Sequence, residues 1–327
     1  MPQGIRTHIP FPSRISPDVS RASERHLAWP RSFGLLPTLE AERRHIQGRY
    51  PDLAGRFHPT ARGAELDLAI DQMSWFFIFD DQFDGKRGRH PGHARELIDA
   101  VLAVLGGTRD LVRTSTTELV SSFADLWARS RVGMSDSWSV RAADSWRRYL
   151  EGHVVEARDR TGVPPGMDEQ LAVRRETSGV YPILDLAERI GGYEVPEPAV
   201  DSPFLRALRD LAAEVVVFDN EIISLEKEEA LGDNNLVLTY ERAHGCSRSE
   251  SISAVTALLA QRTEHLLALE AELPDFCAGL ALDRAGTKAV HRYQYDAIRT
   301  VMRGAHDWQQ GSDRYSSAYL PLSATLL

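Results

Sequence analysis

Over seven stretches of this chain, apolar residues return at steps of three and four: 66–79, 97–105, 119–127, 171–190, 204–223, 252–273 and 289–302. That spacing gathers side chains onto one stripe of a helix, whereas a half-buried strand needs two-residue alternation, which is hard to find here in any sustained form. Proline and glycine fall mostly between the stretches, at 87–92, 162–166 and 191–198, where chain reversals belong. The pattern predicts an all-α fold, one bundle of many helices with its chemistry in a cavity between them. A chain of 327 residues, 43% of them hydrophobic, can fill a single large core. Residues 1–40, rich in Pro, Arg and Ser, read as an arm packing on the body, with a short helix around 22–28; residues 41–327 read as one helical domain.

Lys and Arg number 38 against 47 Asp and Glu, a formal charge of −9, which argues against a nucleic-acid partner. Any bound anion must then be held by local charges or metals. Cys246 and Cys277 show neither metal-ligand nor framework spacing, which suits a reducing, cytoplasmic setting. No apolar run reaches signal-peptide length near the start or the roughly 18 residues of a membrane span anywhere, so a soluble protein without membrane insertion is expected.

Two constellations carry chemistry. In the first, Leu66, Ile70, Met73 and Phe77 form an inward stripe, and the same steps continue onto Asp80 and Asp84. Carboxylates that extend an apolar face need a cation or a proton, because losing water without a partner costs several kcal/mol. Hard oxygen donors one turn apart suit Mg²⁺ with substrate phosphate oxygens; the alternative is a solvated acidic helix end before the turn residue Gly85. Continuity with the aromatic run Trp75, Phe76 and Phe77 favours the first reading.

The second lies on a long helix with Ser202 as N-cap, Pro203 at its first position and Gly232 as its stop. Asn220, Ser224 and Glu228 recur every four residues, rotating only ~40° per step, so an amide, a hydroxyl and a carboxylate share one edge that continues Ala213, Val216 and Val217. Such a set fits a Mg²⁺ that also binds diphosphate; the alternative is an ordinary charged face, since Glu221, Glu226 and Glu229 show that acids abound here.

Together the two faces resemble the paired metal motifs of class I terpene synthases, DDxxD as Asp80-Asp81-Gln82-Phe83-Asp84 and the asparagine, serine and glutamate set as Asn220, Ser224 and Glu228. The likeness spans nearly the whole chain and points to bacterial sesquiterpene cyclases of the pentalenene synthase type, through HLAWPRSFGLL, MSWFFIFDDQFDG, VRRETSG, ISLEKEEALG and DWQQGSDRY. The resemblance implies a Mg²⁺-dependent lyase with three Mg²⁺ ions, which ionises farnesyl diphosphate and cyclises the carbocation. It implies that Arg174 senses the diphosphate, with Arg175 as the alternative, and that Lys227, Arg314 and Tyr315 bind diphosphate oxygens on closure. Phe76, Phe77 and Trp308 would line the cavity, and the carbonyl of Ser178 would face into it where Gly179 and Pro182 interrupt the helical pattern. A homodimer is compatible with the family. Glu221 departs from the family's residue beside Asn220, which should leave the metal ligands intact; Gln309 and the VRRETSGVYPIL segment also depart and shape the cavity, so the carbon skeleton of the product is not given. Two rival readings stand beside this one: a chain-elongating prenyltransferase, which carries a second aspartate-rich motif, and a non-catalytic helical binding protein.

Overall fold

The computed structural model describes residues 6–82, 91–107, 117–159 and 165–315. Among these no strand occurs, and the helices follow one another as α1 (Val19–Arg25), α2 (Ala28–Ser32), α3 (Leu39–Gln47), α4 (Tyr50–Phe57), α5 (Gly63–Asp80), α6 (Pro91–Leu105), α7 (Glu118–Ser130), α8 (Asp136–Asp159), α9 (Met167–Thr177), α10 (Val180–Gly191), α11 (Glu197–Val200), α12 (Pro203–Leu231), α13 (Leu236–His244), α14 (Arg248–Ala271), α15 (Leu273–Gly279), α16 (Arg284–Tyr293) and α17 (Arg299–Gly311). The all-α expectation holds.

The 29-residue α12 is the axis of the bundle, packed against α9, α10, α14 and α17. Its ends are set as the sequence predicts: the Ser202 hydroxyl accepts from the Leu205 N–H, Pro203 opens the helix, and Gly232 closes it at φ +71°, a left-handed value that a side chain resists. The helix α5 packs on α4, α7 and α10 and is buried on almost every side, from Leu66 and Ile70 to Trp75 and Phe79. An element this enclosed takes its stability from packing.

Three places depart from the periodic reading. The 24-residue α8 lies outside all seven stretches, although Trp138, Ala142, Trp146 and Tyr149 step along one buried face at intervals of four, four and three. Serines, arginines and aspartates between them dilute the apolar signal. The 171–190 stretch is two helices, broken at Ser178 and Gly179, where Gly179 takes φ +73°. The 289–302 stretch contains a π-helical turn, Gln294–Ile298, that joins α16 to α17.

Residues 6–18 precede the first helix. Ile9 and Phe11 are buried, and their carbonyls accept from Arg303 Nη1 at 3.0 and 3.1 Å. The Thr7 hydroxyl donates to Asp219 on α12 at 2.5 Å, and Ser16 donates to the Ala61 carbonyl at 2.7 Å.

Candidate active site

Helices α4, α5, α8, α9, α10, α12 and α17 enclose a cavity of about 220 Å³. Buried apolar side chains line it, Leu53, Phe57, Met73, Phe76, Val217 and Trp308, together with a charged set, Asp80, Glu156, Arg174, Lys227, Glu228 and Arg314. Asp80 sits here because α5 ends at it, so the buried stripe Leu66, Ile70, Met73 delivers the carboxylate to the mouth. Asn220 and Glu228 reach the same mouth from α12. Asp84 lies outside the described residues.

The aspartate side is held by cations. Arg314 Nη2 donates to Asp80 Oδ2 and Asp81 Oδ1, both at 3.2 Å, and His153 Nε2 lies 3.8 Å from Asp80 Oδ1. Nearly half of the Asp80 side chain, 47%, opens at the cavity, while Arg314 is 3% exposed. Burial disfavours the Asp80 charge, but His153, Arg314 and Lys227 outweigh it and hold the carboxyl well below the usual range.

The α12 side is knitted to Arg174. Its Nε donates to Glu221 Oε1 at 2.7 Å, Nη2 to Asn220 Oδ1 at 3.1 Å and Nη1 to Glu156 Oε1 at 3.4 Å. Burial alone would lower the guanidinium's pKa, yet Glu221, Glu156 and Glu228 raise it further above its ordinary value. Glu228 lacks enough compensation: burial and the neighbouring Glu221 charge push it up to about 7, against the pull of Arg174, Asn235 and Lys227. A carboxylate in that state has room for a cation. Ser224 is turned differently, its hydroxyl donating to the Asn220 carbonyl at 2.7 Å, and it is not on the cavity wall.

The two sides meet through consecutive residues. Arg314 grips Asp80 and Asp81, and the Tyr315 hydroxyl accepts from Asn220 Nδ2 at 3.1 Å. Among the described residues no three His, Cys, Asp or Glu side chains converge as a metal cluster. The donor set instead mixes carboxylates with an amide and a hydroxyl, which fits hard divalent cations completed by a ligand's own oxygens.

The aromatic residues divide. Trp308 anchors its N–H on the Gly48 carbonyl at 2.9 Å, and its ring lies 5.4 Å from that of Phe77. Phe76 stacks on Trp146 at 4.8 Å. Phe77 stacks on Tyr50 at 4.5 Å and carries the Arg314 guanidinium 4.6 Å from its centroid. Ser178 is on the cavity wall. A helix running on through this point would hand its carbonyl the N–H of residue 182, but that residue is proline and has none. Arg175 points elsewhere, 3.3 Å from Glu214 Oε1 and 3.9 Å from Asp210 Oδ2, off the cavity wall.

Sequence reasoning misses Tyr149, His153 and Glu156 along with the helix that carries them. Their steps of four and three are the signal that could have found them. It also treats Glu221 as a neutral departure, whereas this fully buried carboxylate accepts from Arg174 on one oxygen and from the Leu236 N–H, at 2.6 Å, on the other.

The family model described as terpene synthase family 2, C-terminal metal binding, matches residues 71–265. Pentalenene synthase of Streptomyces arenae is 45% identical over 322 residues, covering 98% of this chain and 95% of its own. The (-)-beta-caryophyllene synthase of Saccharothrix espanaensis is 40% identical over 97% of this chain and 90% of its own. Among solved structures, germacradien-4-ol synthase of Streptomyces citricolor superposes with a TM-score of 0.86 at 31% identity, covering 95% of this chain and all of that one. Linalool/nerolidol synthase of Streptomyces clavuligerus in complex with 2-fluorogeranyl diphosphate gives 0.83 at 34%, covering 94% and 99%. The extent of these matches, both along the sequence and through the fold, places this chain in the terpene synthase family.

Proposed function

We propose that this protein is a Mg²⁺-dependent class I sesquiterpene cyclase acting on farnesyl diphosphate. One observation carries the reading: oxygen donors from α5 and α12 line a single cavity together with buried apolar and aromatic side chains, and the consecutive residues Arg314 and Tyr315 bond one to each side. Asp80, Asp84, Asn220, Glu228 and, once its hydroxyl turns from the Asn220 carbonyl, Ser224 would hold three Mg²⁺ ions, which would supply positive charge to a departing diphosphate.

The protein's own residues do the rest. Arg174, Lys227 and Arg314 bind the diphosphate oxygens, the arginines through forked donors. The allylic C–O bond breaks with its electron pair leaving on the diphosphate, and the carbocation folds against Phe76, Phe77 and Trp308. Ring faces contribute about 1–2 kcal/mol each to a desolvated cation. For Phe77 this requires Arg314 to turn from the ring toward the diphosphate. The Ser178 carbonyl adds a negative dipole end, and the retained diphosphate accepts the final proton. An apolar depth excludes the water that would otherwise end the cascade as an alcohol.

The organisation that goes with this reading is one helical domain, residues 41–327, with residues 1–40 as an arm, working in the cytoplasm. Among the described residues no helix is long and apolar enough to cross a membrane. Incubation with geranyl, farnesyl and geranylgeranyl diphosphate plus Mg²⁺, followed by mass spectrometry of the organic extract, tests the proposal. A cyclic C15 product from farnesyl diphosphate is expected, and the absence of any terpene from all three would remove the reading.

A further inference from the structure

Among the described residues, Arg49 and Ala281 are the two that hold a positive φ without being glycine. Arg49 stands between α3 and α4 at φ +52° and ψ +41°, a left-handed conformation that a side chain resists. It is also the residue before the first turn of α4, a place that favours Ser, Thr, Asp or Asn in extended backbone, and its side chain caps nothing there. The glycine that would relieve the turn comes one residue earlier. Gly48 has an ordinary helical φ of −64° and is glycine for room, since an added Cβ would lie 2.4 Å from Cζ of the Tyr50 ring. That ring is buried and stacked on Phe77 at 4.5 Å, so it has nowhere to go. Two local rules broken at one residue point to a role for its side chain.

The side chain reaches α17. Arg49 Nη1 donates to the Gly311 carbonyl at 2.8 Å, and Nη2 lies 3.4 Å from Asp52 Oδ2, which steadies the guanidinium. Gly311 is the last residue of α17, so its carbonyl has no acceptor role in the helix's own ladder and lies at the negative end of the helix dipole, where a cation is favoured. The preceding residue grips the same turn of α17: the Gly48 carbonyl accepts from Trp308 Nε1 at 2.9 Å. Just past Gly311 come Arg314, which bonds Asp80 and Asp81, and Tyr315, which bonds Asn220.

We propose that Arg49 is a positioning residue, kept in a strained backbone because its guanidinium holds the end of α17 and so sets where Arg314 and Tyr315 stand between α5 and α12. The inference rests on the cyclase reading above. When diphosphate draws Arg314 from the aspartates, the exit of α17 stays tethered at Gly311, which confines the guanidinium to the space between the two metal sides.

The test compares Arg49→Gly with Arg49→Ala. Both delete the guanidinium, but the glycine alone also relieves the left-handed backbone, so it should melt about 2 °C above the alanine variant. Turnover should ignore that difference: kcat on farnesyl diphosphate should fall roughly 10-fold in both, and the acyclic C15 alcohol fraction should rise several-fold in both, because a loosely placed Arg314 excludes water poorly. Hydrogen exchange followed by mass spectrometry, without prenyl substrate, should be several-fold faster over residues 309–315 in both variants and unchanged along α12. A glycine variant that melts no higher than the alanine one, a turnover loss that follows melting temperature, wild-type turnover, an unchanged alcohol fraction, or exchange that is unaltered over 309–315 or faster along α12 as well would overturn the proposal. A wild-type protein that yields no terpene from any prenyl diphosphate would sink the cyclase reading instead, and the exchange comparison would still decide whether Arg49 holds the end of α17.

Discussion

Asn235 stands in no recognisable motif, yet it sets the geometry of the α12 edge. Its Nδ2 donates to Glu228 Oε2 at 2.7 Å and to the Glu221 carbonyl at 2.8 Å, while its Oδ1 caps α13 by accepting from the Val237 N–H at 2.8 Å. The side chain is fully buried. On the proposed reading Glu228 is a metal ligand; a ligand carboxylate held by such a donor loses orientation when the donor goes, and outer-shell changes of this kind typically cost 10–100-fold in metal affinity. The Mg²⁺ concentration for half-maximal turnover should therefore rise about 10-fold in Asn235→Ala. That variant also forfeits the cap, worth about 1 kcal/mol of stability in urea titration. Asn235→Asp separates the two effects, since an aspartate caps as well as asparagine but cannot donate to Glu228. An unshifted Mg²⁺ dependence in Asn235→Asp would mean that Glu228 does not rely on this bond.

At the scale of elements, the α9–α10 break deserves the closest test. Gly179 holds φ +73°, where a non-glycine residue costs roughly 1–2 kcal/mol. Gly179→Ala should lower the unfolding free energy from urea titration by about that much and, because the strained backbone lies beside the cavity wall, reduce turnover as well, while its Cβ meets Phe76 only at ordinary contact distance, 3.5 Å. Normal stability with normal turnover would show that the backbone relaxes there at no cost. This break also marks how far the sequence is legible. Gly179 and Pro182 announce an interruption, since neither suits a helix interior, and Ser202, Pro203 and Gly232 fix both ends of α12 for reasons local to those residues. The pairing of Asp80 with Asn220 across a cavity can be expected because each ends or edges an apolar stripe. What the sequence withholds is tertiary. The helix α8 is hidden because its buried face is built largely of Trp, Tyr, Ser and Gly, residues that carry little aliphatic period. The choice between Arg174 and Arg175 needs the helix rotation that packing supplies, and the second bond of Glu221 needs to know that α13 begins beside it.

At the scale of the whole molecule, the site joins parts that are remote in the chain: Asp80 at the end of α5, Asn220 and Glu228 on α12, and Arg314 beyond α17. Ligands that bind between such parts stabilise only the folded arrangement, by RT ln(1 + [L]/Kd), about 2.7 kcal/mol at a hundredfold excess over Kd. Mg²⁺ and inorganic diphosphate together should raise the melting temperature by roughly 5 °C, with each alone doing less. Arg314 makes the prediction sharper. In the resting protein its guanidinium lies between Asp80 and Asp81, and on the proposed reading it would exchange those carboxylates for the diphosphate when metal binds. Arg314→Ala removes that competitor, leaving the carboxylates unpaired on this side. Mg²⁺ alone should then stabilise the variant more than it stabilises wild type, while the further increment from diphosphate should shrink. A helical protein whose acidic faces were merely solvated would melt at the same temperature under all four conditions, with or without Arg314. Differential scanning fluorimetry of the two proteins therefore distinguishes a site that assembles around an anion from a surface that only happens to be acidic.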